Sequence, residues 1–311
     1  MANIILDPSN LNVTGTSDDD IFIATPSSQG DFTIAGGAGF DTLDYSQLGQ
    51  GITINVDGTI SKGSLGTDTS KNNDRFIGAI GQNNSFDGTA NGGIPDPNSI
   101  FKPNFNIDLS KNIFQFDVAG VTRFFEAFNF NRIIGSNYND KIVGDDTGNI
   151  LTGGSGDDIV TGGNGNDIIT GCNSAVRGVG EVDILTGGGG ADTFVLGDRN
   201  GSFYVGNGKN DYASIRDFDL TQDRLQLGAN KESLTVRFDK NERGTIDLFS
   251  NQSGCKDLIA KITLSQPLYL GCRGDRVEGQ YVAGIGNEIS FNNDVFGGKS
   301  SLDAIFDNVF S

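Results

Sequence analysis

Residues Gly153 to Thr170 read GGSGDDIVTGGNGNDIIT, which is two consecutive copies of one nonapeptide. Each copy fits the pattern G-G-x-G-x-D-x-U-x, where U is a large apolar residue. The same pattern recurs as GGGGADTFV from Gly187 to Val195 and, far upstream, as GGAGFDTLD from Gly36 to Asp44. Repetition at a short fixed period is typical of chains whose units pack only against their neighbours, so we expect a solenoid.

The composition of the nonapeptide predicts that it binds a hard metal cation. Glycine adopts positive φ angles readily, which lets the loop turn its carbonyl oxygens inward, and the aspartate at the sixth place adds a carboxylate. Ca²⁺ takes about 6 to 8 oxygen ligands in flexible geometry and suits such a loop better than Mg²⁺. The predicted ligands of several calcium ions in the repeat run are the side chains of Asp140, Asn149, Asp158, Asp167, Asp183 and Asp192 and the loop residues Gly153, Ser155, Gly162, Asn164, Gly187 and Gly189.

The spacing of the repeats predicts which copies lie side by side. The last three residues of each nonapeptide should form a short strand with U pointing inward. If each nonapeptide is half a coil, alternate copies stack on the same edge, about 4.8 Å apart, where bare carboxylates repel by roughly 3 kcal/mol per pair. The two edges carry Asp140, Asp158 and Asp183, and Asn149, Asp167 and Asp192. The U residues are Ile142, Leu151, Val160, Ile169, Leu185 and Phe194.

These residues resemble the RTX family of calcium-binding proteins, and most closely the C-terminal parallel β-roll of serralysin-type proteases. The resemblance rests on IIGSNYNDKIVGDDTGNILTGGSGDDIVTGGNGNDIITG, then ADTFVLGD, then SIRDFDLTQDRLQLG. It covers residues 130 to 228 well and 15 to 130 loosely. It implies calcium binding by a β-roll but no single activity, because the family uses the roll in proteases, lipases, toxins, epimerases, adhesins and surface-layer proteins. Two departures are Asn149 in place of aspartate and an insertion after Gly171.

The repeats and the segments around them predict an all-β chain of three parts. Residues 1–134 form an irregular β-solenoid with degenerate repeats, in which Asp20 and Asp41 are candidate calcium ligands. Residues 135–228 form the parallel β-roll, and the resemblance implies that its closing segment holds a further Ca²⁺ through Asp217 and Asp223. Residues 229–311 alternate apolar and polar side chains, as expected for a β-rich cap over the open end of the solenoid.

Composition agrees with a metal-dependent fold. The formal net charge is −18, and Asp supplies 34 of the 40 acidic residues, with Glu at only six positions. With 36% hydrophobic residues and no Trp, the metal-free chain lies near the disordered regime, so we expect metal binding to supply folding energy. A chain this acidic is repelled by a phosphate backbone, which excludes nucleic acid as a partner.

Catalytic motifs are missing from the sequence, and two classes of function stay open. The chain has no His, which excludes H-E-x-x-H zinc proteolysis and His-based nucleophilic catalysis, and we assign no catalytic residue. One hypothesis is a calcium-dependent structural or binding protein that contacts cell-surface or matrix glycans. The alternative is a calcium-dependent enzyme with a carboxylate-based site in the C-terminal region or in a Phe-rich groove. The Phe cluster could also be core, and it comprises Phe114, Phe116, Phe124, Phe125, Phe128 and Phe130.

The sequence also bears on location and on disulfide bonding. It contains no transmembrane stretch, and MANIILDPSN lacks the basic and apolar regions of a cleaved signal peptide. The RTX resemblance implies type I secretion with an uncleaved C-terminal signal, so we expect an extracellular protein. Cys255 and Cys272 lie in similar contexts, GCKD and GCRG, and either form a disulfide or remain separate thiols.

Overall fold

A computed structural model describes residues 1–89, 104–118, 121–228, 234–238, 244–250, 256–265 and 288–290. These residues form β-strands, turns and two short 3₁₀ turns, Gly63–Leu65 and Leu109–Lys111. No α-helix occurs in the described ranges. The strands, numbered along the chain, are β1 (Asn3–Ile5), β2 (Asn12–Thr14), β3 (Ile21–Ile23), β4 (Thr33–Ala35), β5 (Thr42–Asp44), β6 (Thr53–Asn55), β7 (Thr59–Ser61), β8 (Thr67–Lys71), β9 (Arg75–Ile77), β10 (Ser85–Asp87), β11 (Phe105–Asp108), β12 (Ile113–Val118), β13 (Val121–Phe128) and β14 (Arg132–Ile134). They continue with β15 (Lys141–Val143), β16 (Ile150–Gly154), β17 (Ile159–Gly163), β18 (Ile168–Cys172), β19 (Val182–Gly188), β20 (Thr193–Val195), β21 (Gly197–Asp198), β22 (Gly201–Ser202), β23 (Tyr212–Phe218), β24 (Arg224–Gln226), β25 (Leu234–Phe238), β26 (Thr245–Ser250), β27 (Asp257–Leu264) and β28 (Glu288–Ser290).

Most successive strands alternate between two long sheets. The first sheet has the order β1-β3-β5-β9-β13-β12-β11-β15-β17-β19-β23-β27-β26-β25-β28. The second has the order β2-β4-β8-β7-β6-β10-β14-β16-β18-β20-β24, and β21 and β22 form a small separate pair. Strands that alternate between two facing sheets wind the chain into a flattened coil. The protein is therefore an all-β parallel β-roll and β-solenoid, as the repeats predict.

The nonapeptides form half-coils in the predicted register. In the first sheet, Ile142 pairs with Val160, which pairs with Leu185. In the second, Leu151 pairs with Ile169, which pairs with Phe194. All six U side chains are 0% exposed, so they form the interior between the two sheets. Because strand residues alternate between faces, the seventh and ninth residues of each repeat lie on the outside.

The amino-terminal half continues the same coil with two antiparallel interruptions. Strands β6, β7 and β8 are antiparallel neighbours in the second sheet, and β11, β12 and β13 are antiparallel neighbours in the first. Strands β10, β14 and β16 are parallel, so the second sheet runs without a break from the irregular half into the roll.

The Phe cluster packs mainly in the interior of the widened coils. Phe114 and Phe130 are buried, and the rings of Phe114 and Phe125 stack with centroids 5.1 Å apart. Phe86 packs edge-on against Phe114 at 5.3 Å. The exceptions are Phe124, with 68% of its surface exposed, and Phe128, which lies outside the core with its ring 5.6 Å from the Arg75 guanidinium. These contacts favour the core over a ligand-binding groove, because aromatic rings fill the extra space that the hairpins create.

The carboxyl-terminal strands extend the first sheet beyond the roll. Strand β27 lies parallel to β23, while β26, β25 and β28 follow as antiparallel neighbours. The added strands cover the edge that β23 would otherwise present, as expected of a β-rich cap. The predicted cysteine pair, Cys255 and Cys272, lies outside the described residues.

The inward U positions should carry more stability than the outer face of the same sheet. We expect Leu185→Ala to lower the free energy of unfolding by about 2 to 5 kcal/mol, because it removes a fully buried side chain. The control Ile159→Ala, at a position that is 43% exposed, should change it by less than about 0.5 kcal/mol. Urea unfolding in millimolar calcium measures both, and equal losses would show that the side chains do not alternate as described.

Candidate metal centre

The sixth residue of each repeat joins its coil to the preceding coil. Where this residue is aspartate, its Oδ1 atom accepts a hydrogen bond from the backbone N–H of the equivalent residue one coil earlier, whereas Asn149 Oδ1 accepts from Asp145 of its own loop. On the first edge, Asp140 donates to Asp158 at 2.8 Å and Asp158 donates to Asp183 at 2.9 Å. On the second edge, Asn149 donates to Asp167 at 2.7 Å, Asp167 to Asp192 at 2.9 Å and Asp192 to Asp223 at 3.0 Å. We call this series the carboxylate ladder.

The second carboxylate oxygen, Oδ2, separates the repeats into two kinds. In the four copies that match the full consensus, Oδ2 is buried and has no hydrogen-bond partner among the described residues. We call these open loops, and their aspartates are Asp41, Asp158, Asp167 and Asp192. A buried carboxylate oxygen without a partner is costly, because burial removes its solvation.

In the degenerate copies the loop satisfies that oxygen itself, and we call these closed loops. The backbone N–H of the second loop residue donates to the side chain at the sixth place. Thr16 donates to Asp20 Oδ2 at 2.6 Å, and Ser136 donates to Asp140 Oδ2. In the same way, the backbone N–H of Asp145 donates to Asn149 Oδ1 at 2.8 Å. The backbone N–H of Asp219 donates to Asp223 Oδ2, also at 2.8 Å.

The second residue of the loop explains the difference. In the open loops it is glycine with positive φ, namely 108° at Gly37, 126° at Gly154, 130° at Gly163 and 96° at Gly188. Side-chain-bearing residues resist these angles, and at the same place the closed loops have Thr, Ser or Asp, none with positive φ. The second glycine of the consensus therefore turns the N–H away from the carboxylate.

Main-chain oxygens face the same space as the free Oδ2 atoms. A Cβ placed on Gly153 would lie 2.4 Å from Asp158 Oδ2 and 2.3 Å from the carbonyl oxygen of Gly171. A Cβ on Gly162 would lie 2.2 Å from Asp167 Oδ2 and 2.4 Å from the Gly187 carbonyl oxygen. The open loops of Asp41, Asp158 and Asp167 thus bring together a carboxylate oxygen of their own coil and a carbonyl oxygen of the next.

The donor set of the open loops fits Ca²⁺. Its atoms are oxygens only, from a carboxylate and from the main chain, which is the chemistry that a hard cation prefers. Nowhere in the described part of the chain do three Asp, Glu, Cys or His side chains surround one point. Any cation here would therefore be held by single carboxylates together with carbonyl groups.

Asp183 has an unexpected partner. The Tyr204 hydroxyl donates to its Oδ2 atom at 2.5 Å, and both residues are fully buried. The hydroxyl oxygen also lies 2.3 Å from the position that a Cβ on Gly171 would take. Tyr204, whose backbone N–H donates to Arg177 of the insertion, thus places its hydroxyl where the open loops of Asp158 and Asp167 have a carbonyl oxygen of the next coil. The sequence offered no signal for Tyr204, which follows Asp183 by 21 residues.

The other predicted ligands lie around the same loops. Asp217 accepts hydrogen bonds from the backbone N–H groups of Gly187 and Gly188, at 2.9 and 2.8 Å, and so caps the last open loop. The third loop residues, Ser155, Asn164 and Gly189, each donate their backbone N–H to a carbonyl oxygen of the preceding coil on the same edge. Asp41 lies apart from the roll and donates its N–H to Asp74.

Burial raises the pKa of acids in the open and closed loops of the roll alike, to about 6 at Asp192 in an open loop. Burial, together with the charges of Asp183 and Asp140, raises the pKa of Asp158 to about 11. Burial raises the pKa of Asp140 only to about 7, because the N–H groups of Phe105 and Ser136 stabilise its charged form. Within the described residues, none of the ion pairs includes an open-loop aspartate. The open loops therefore contain acids without a cationic partner.

Comparisons with known proteins give a weak similarity among solved structures. The sequence matches no protein-family model and no curated protein. Among solved structures, the chain is similar to the extracellular lipase LipA from Serratia marcescens, with 13% sequence identity and a TM-score of 0.18. The alignment covers 81% of this chain and 37% of the lipase, so the chain spans little more than a third of that protein's length. The described residues include no helix long and apolar enough to cross a membrane.

Open and closed loops should respond differently to loss of the carboxylate charge. We expect Asp158→Asn to raise the calcium concentration at the midpoint of folding about tenfold, equivalent to ~1.4 kcal/mol. Asp140→Asn, in a closed loop, should shift it by less than about threefold, because both oxygens of Asp140 already accept N–H groups of the chain and neither is left for a metal ion. Far-UV circular dichroism during calcium titration measures both midpoints. Equal shifts would contradict the distinction between the loops.

Proposed function

We propose that the chain is an RTX-type calcium-binding β-solenoid whose roll folds when its open loops bind Ca²⁺. The observation that carries this proposal is the set of buried Oδ2 atoms without a partner, which occur in the copies that match the full repeat. A divalent cation supplies the missing charge and accepts the neighbouring carbonyl oxygens as further ligands. The candidate ligand carboxylates are Asp41, Asp158, Asp167 and Asp192.

Calcium suits these loops better than magnesium. Mg²⁺ requires nearly octahedral geometry at about 2.0 to 2.1 Å and keeps several waters, whereas Ca²⁺ accepts irregular shells of oxygens at about 2.3 to 2.6 Å. The open loops offer carbonyl oxygens from successive coils, whose positions are set by the spacing of the strands rather than by the metal ion. Such a site binds Ca²⁺ in preference to Mg²⁺, because Ca²⁺ is larger and tolerates irregular coordination geometry.

Metal binding and folding are coupled in this arrangement. The ladder brings Asp158 next to Asp140 and Asp183, and these neighbouring charges contribute to raising its pKa. Without a cation, these buried acids must either be protonated or carry negative charges that repel one another. The sites do not exist in the unfolded chain, so the free energy of calcium binding becomes free energy of folding.

The proposed place of action is outside the cell, after type I secretion. Loop sites made mostly of carbonyl oxygens resemble the weak class that fills at roughly 10⁻⁴ to 10⁻³ M calcium, a concentration found in extracellular fluids and not in cytosol. The proposed role is structural, or the binding of components such as glycans at a cell surface or in a matrix. The two sheets support this role, because they present long outer faces on which side chains recur at the strand spacing.

Removal of calcium tests the proposal directly. We expect EGTA to abolish most of the β signal of residues 135–228, with millimolar Ca²⁺ restoring it and equal Mg²⁺ failing, because the buried acids lose their counter-ion. Hydrogen exchange with mass spectrometry locates the change along the chain, and sodium chloride at equal ionic strength controls for general screening. Unchanged exchange in the roll after chelation would refute the proposal.

A calcium site outside the roll is a further expectation. Asp41 has a free Oδ2 atom, whereas that of Asp20, in the same part of the chain, accepts two hydrogen bonds from Thr16. Asp41→Asn should therefore lower the number of calcium ions bound per chain, and Asp20→Asn should leave it unchanged. Equilibrium dialysis at saturating calcium measures the number. Loss of an ion in the Asp20 variant, or no loss in the Asp41 variant, would show that a free Oδ2 atom does not identify a site.

A further inference from the structure

Lys62 is a fully buried cation inside the amino-terminal solenoid. Its side chain is 0% exposed, and its ammonium group lies 2.7 Å from Asp68 Oδ1. The same ammonium donates to the carbonyl oxygens of Ser28 at 3.2 Å and Gly30 at 3.0 Å. It also lies 4.6 Å from the centroid of the Phe32 ring. The contacts thus form a cage of one carboxylate oxygen and two carbonyl oxygens around one positive charge.

Asp68 occupies the place that the sixth residue of a repeat takes in the roll. It precedes Thr69, which pairs in parallel with Thr33 of the preceding coil in the second sheet. Its Oδ1 atom accepts the backbone N–H of Phe32 at 3.1 Å, which is the hydrogen bond of the carboxylate ladder. Its Oδ2 atom accepts the Tyr45 hydroxyl at 2.9 Å. Asp68 is therefore a ladder carboxylate on which both oxygens have partners from the chain.

The cage around Lys62 has the same donor chemistry as the open loops. In both places a ladder carboxylate and backbone carbonyl oxygens face one space, but at Asp68 the oxygen that faces it is Oδ1, because Oδ2 accepts the Tyr45 hydroxyl. We propose that the Lys62 ammonium is a resident cation that supplies the positive charge which a metal ion supplies in an open loop, so that the coils around Asp68 keep their fold without calcium. The ammonium is attached to the chain, so dilution or chelation cannot remove it.

Asn84 shows a related arrangement just before β10, in the same sheet as β4 and β8. Its Oδ1 atom accepts the N–H of Ile52 at 3.1 Å, which places Asn84 on the ladder. Its amide group then donates to the carbonyl oxygens of Ala79 at 2.9 Å and Asn129 at 2.7 Å. The side-chain N–H groups of Asn84 thus pair with the carbonyl oxygens around this ladder position, as the Lys62 ammonium does beside Asp68. Two ladder positions of the amino-terminal half therefore use nitrogen donors where the open loops present free oxygens.

Hydrogen exchange of the full chain, with and without EGTA, tests the proposal. Every protein in the experiment carries Asp41→Asn, which removes the proposed calcium site in the loop between β4 and β5. With Lys62 present, peptides that cover β4 and β8 should then show the same protection in both conditions. Lys62→Met leaves the carboxylate of Asp68 buried without a cation, so exchange in EGTA should rise at least about 100-fold in these peptides. Millimolar Ca²⁺ should restore most of the protection by entering the vacated cage. Lys111→Met, which removes an exposed lysine paired with Asp108, is the control and should change neither condition.

A second variant covers the case in which Lys62→Met does not fold. Lys62→Met combined with Asp68→Asn removes both charges, so β4 and β8 should be protected again and should not respond to calcium. The proposal is overturned if β4 and β8 lose protection in EGTA while Lys62 is present and the Asp41 site is removed. It is also overturned if calcium fails to restore Lys62→Met, or if the double variant still needs calcium. The response of residues 135–228 in the same experiment reports on calcium binding by the roll. The experiment therefore distinguishes failure of the proposed function from failure of the proposal about Lys62.

Discussion

The hydrogen bond from a backbone N–H to a buried carboxylate oxygen of the next coil is the constraint on which this structure depends. It recurs on both edges and fixes an acid at the end of the loop in nearly every coil of the roll. The bond uses one oxygen of the acid and leaves the other buried. Each coil must then satisfy that second oxygen, because an unpaired carboxylate in a protein interior is costly.

The chain satisfies the second oxygen in several ways. A loop N–H reaches it where the second residue carries a side chain, as at Asp20 and Asp140. A tyrosine hydroxyl reaches it at Asp183 and at Asp68. In the full-consensus loops no described group reaches it, and there we propose that calcium does. The repeat sequence thus determines whether the second oxygen is paired with a group of the chain or with a metal ion from solution. The second glycine of the loop largely decides between the two.

Much of the fold could be predicted from the sequence. The period of nine residues predicted the positions of the strands, and the U residues predicted the interior. Stacking of alternate copies predicted the register, because each of these features is a local pattern that repeats. The division of the acids into open and closed loops was not predicted. Asp140 and Asp158 look alike in sequence, and their difference depends on whether Ser136 or Gly154 precedes them by four residues. Tyr204 and Lys62 were missed because their contacts join residues far apart in the chain, with no repeat to mark them.

The carboxylate ladder also has a direction. In every rung the earlier coil donates its N–H and the later coil supplies the oxygen, from Ala2 with Asp20 to Asp192 with Asp223. The two ends of the stack are therefore not equivalent. Loss of a coil from the amino-terminal end exposes a carboxylate to water, whereas loss from the carboxyl-terminal end exposes a backbone N–H group. A coil or a partner that joins at the amino-terminal end therefore meets anionic acceptors, and one that joins at the carboxyl-terminal end meets N–H donors.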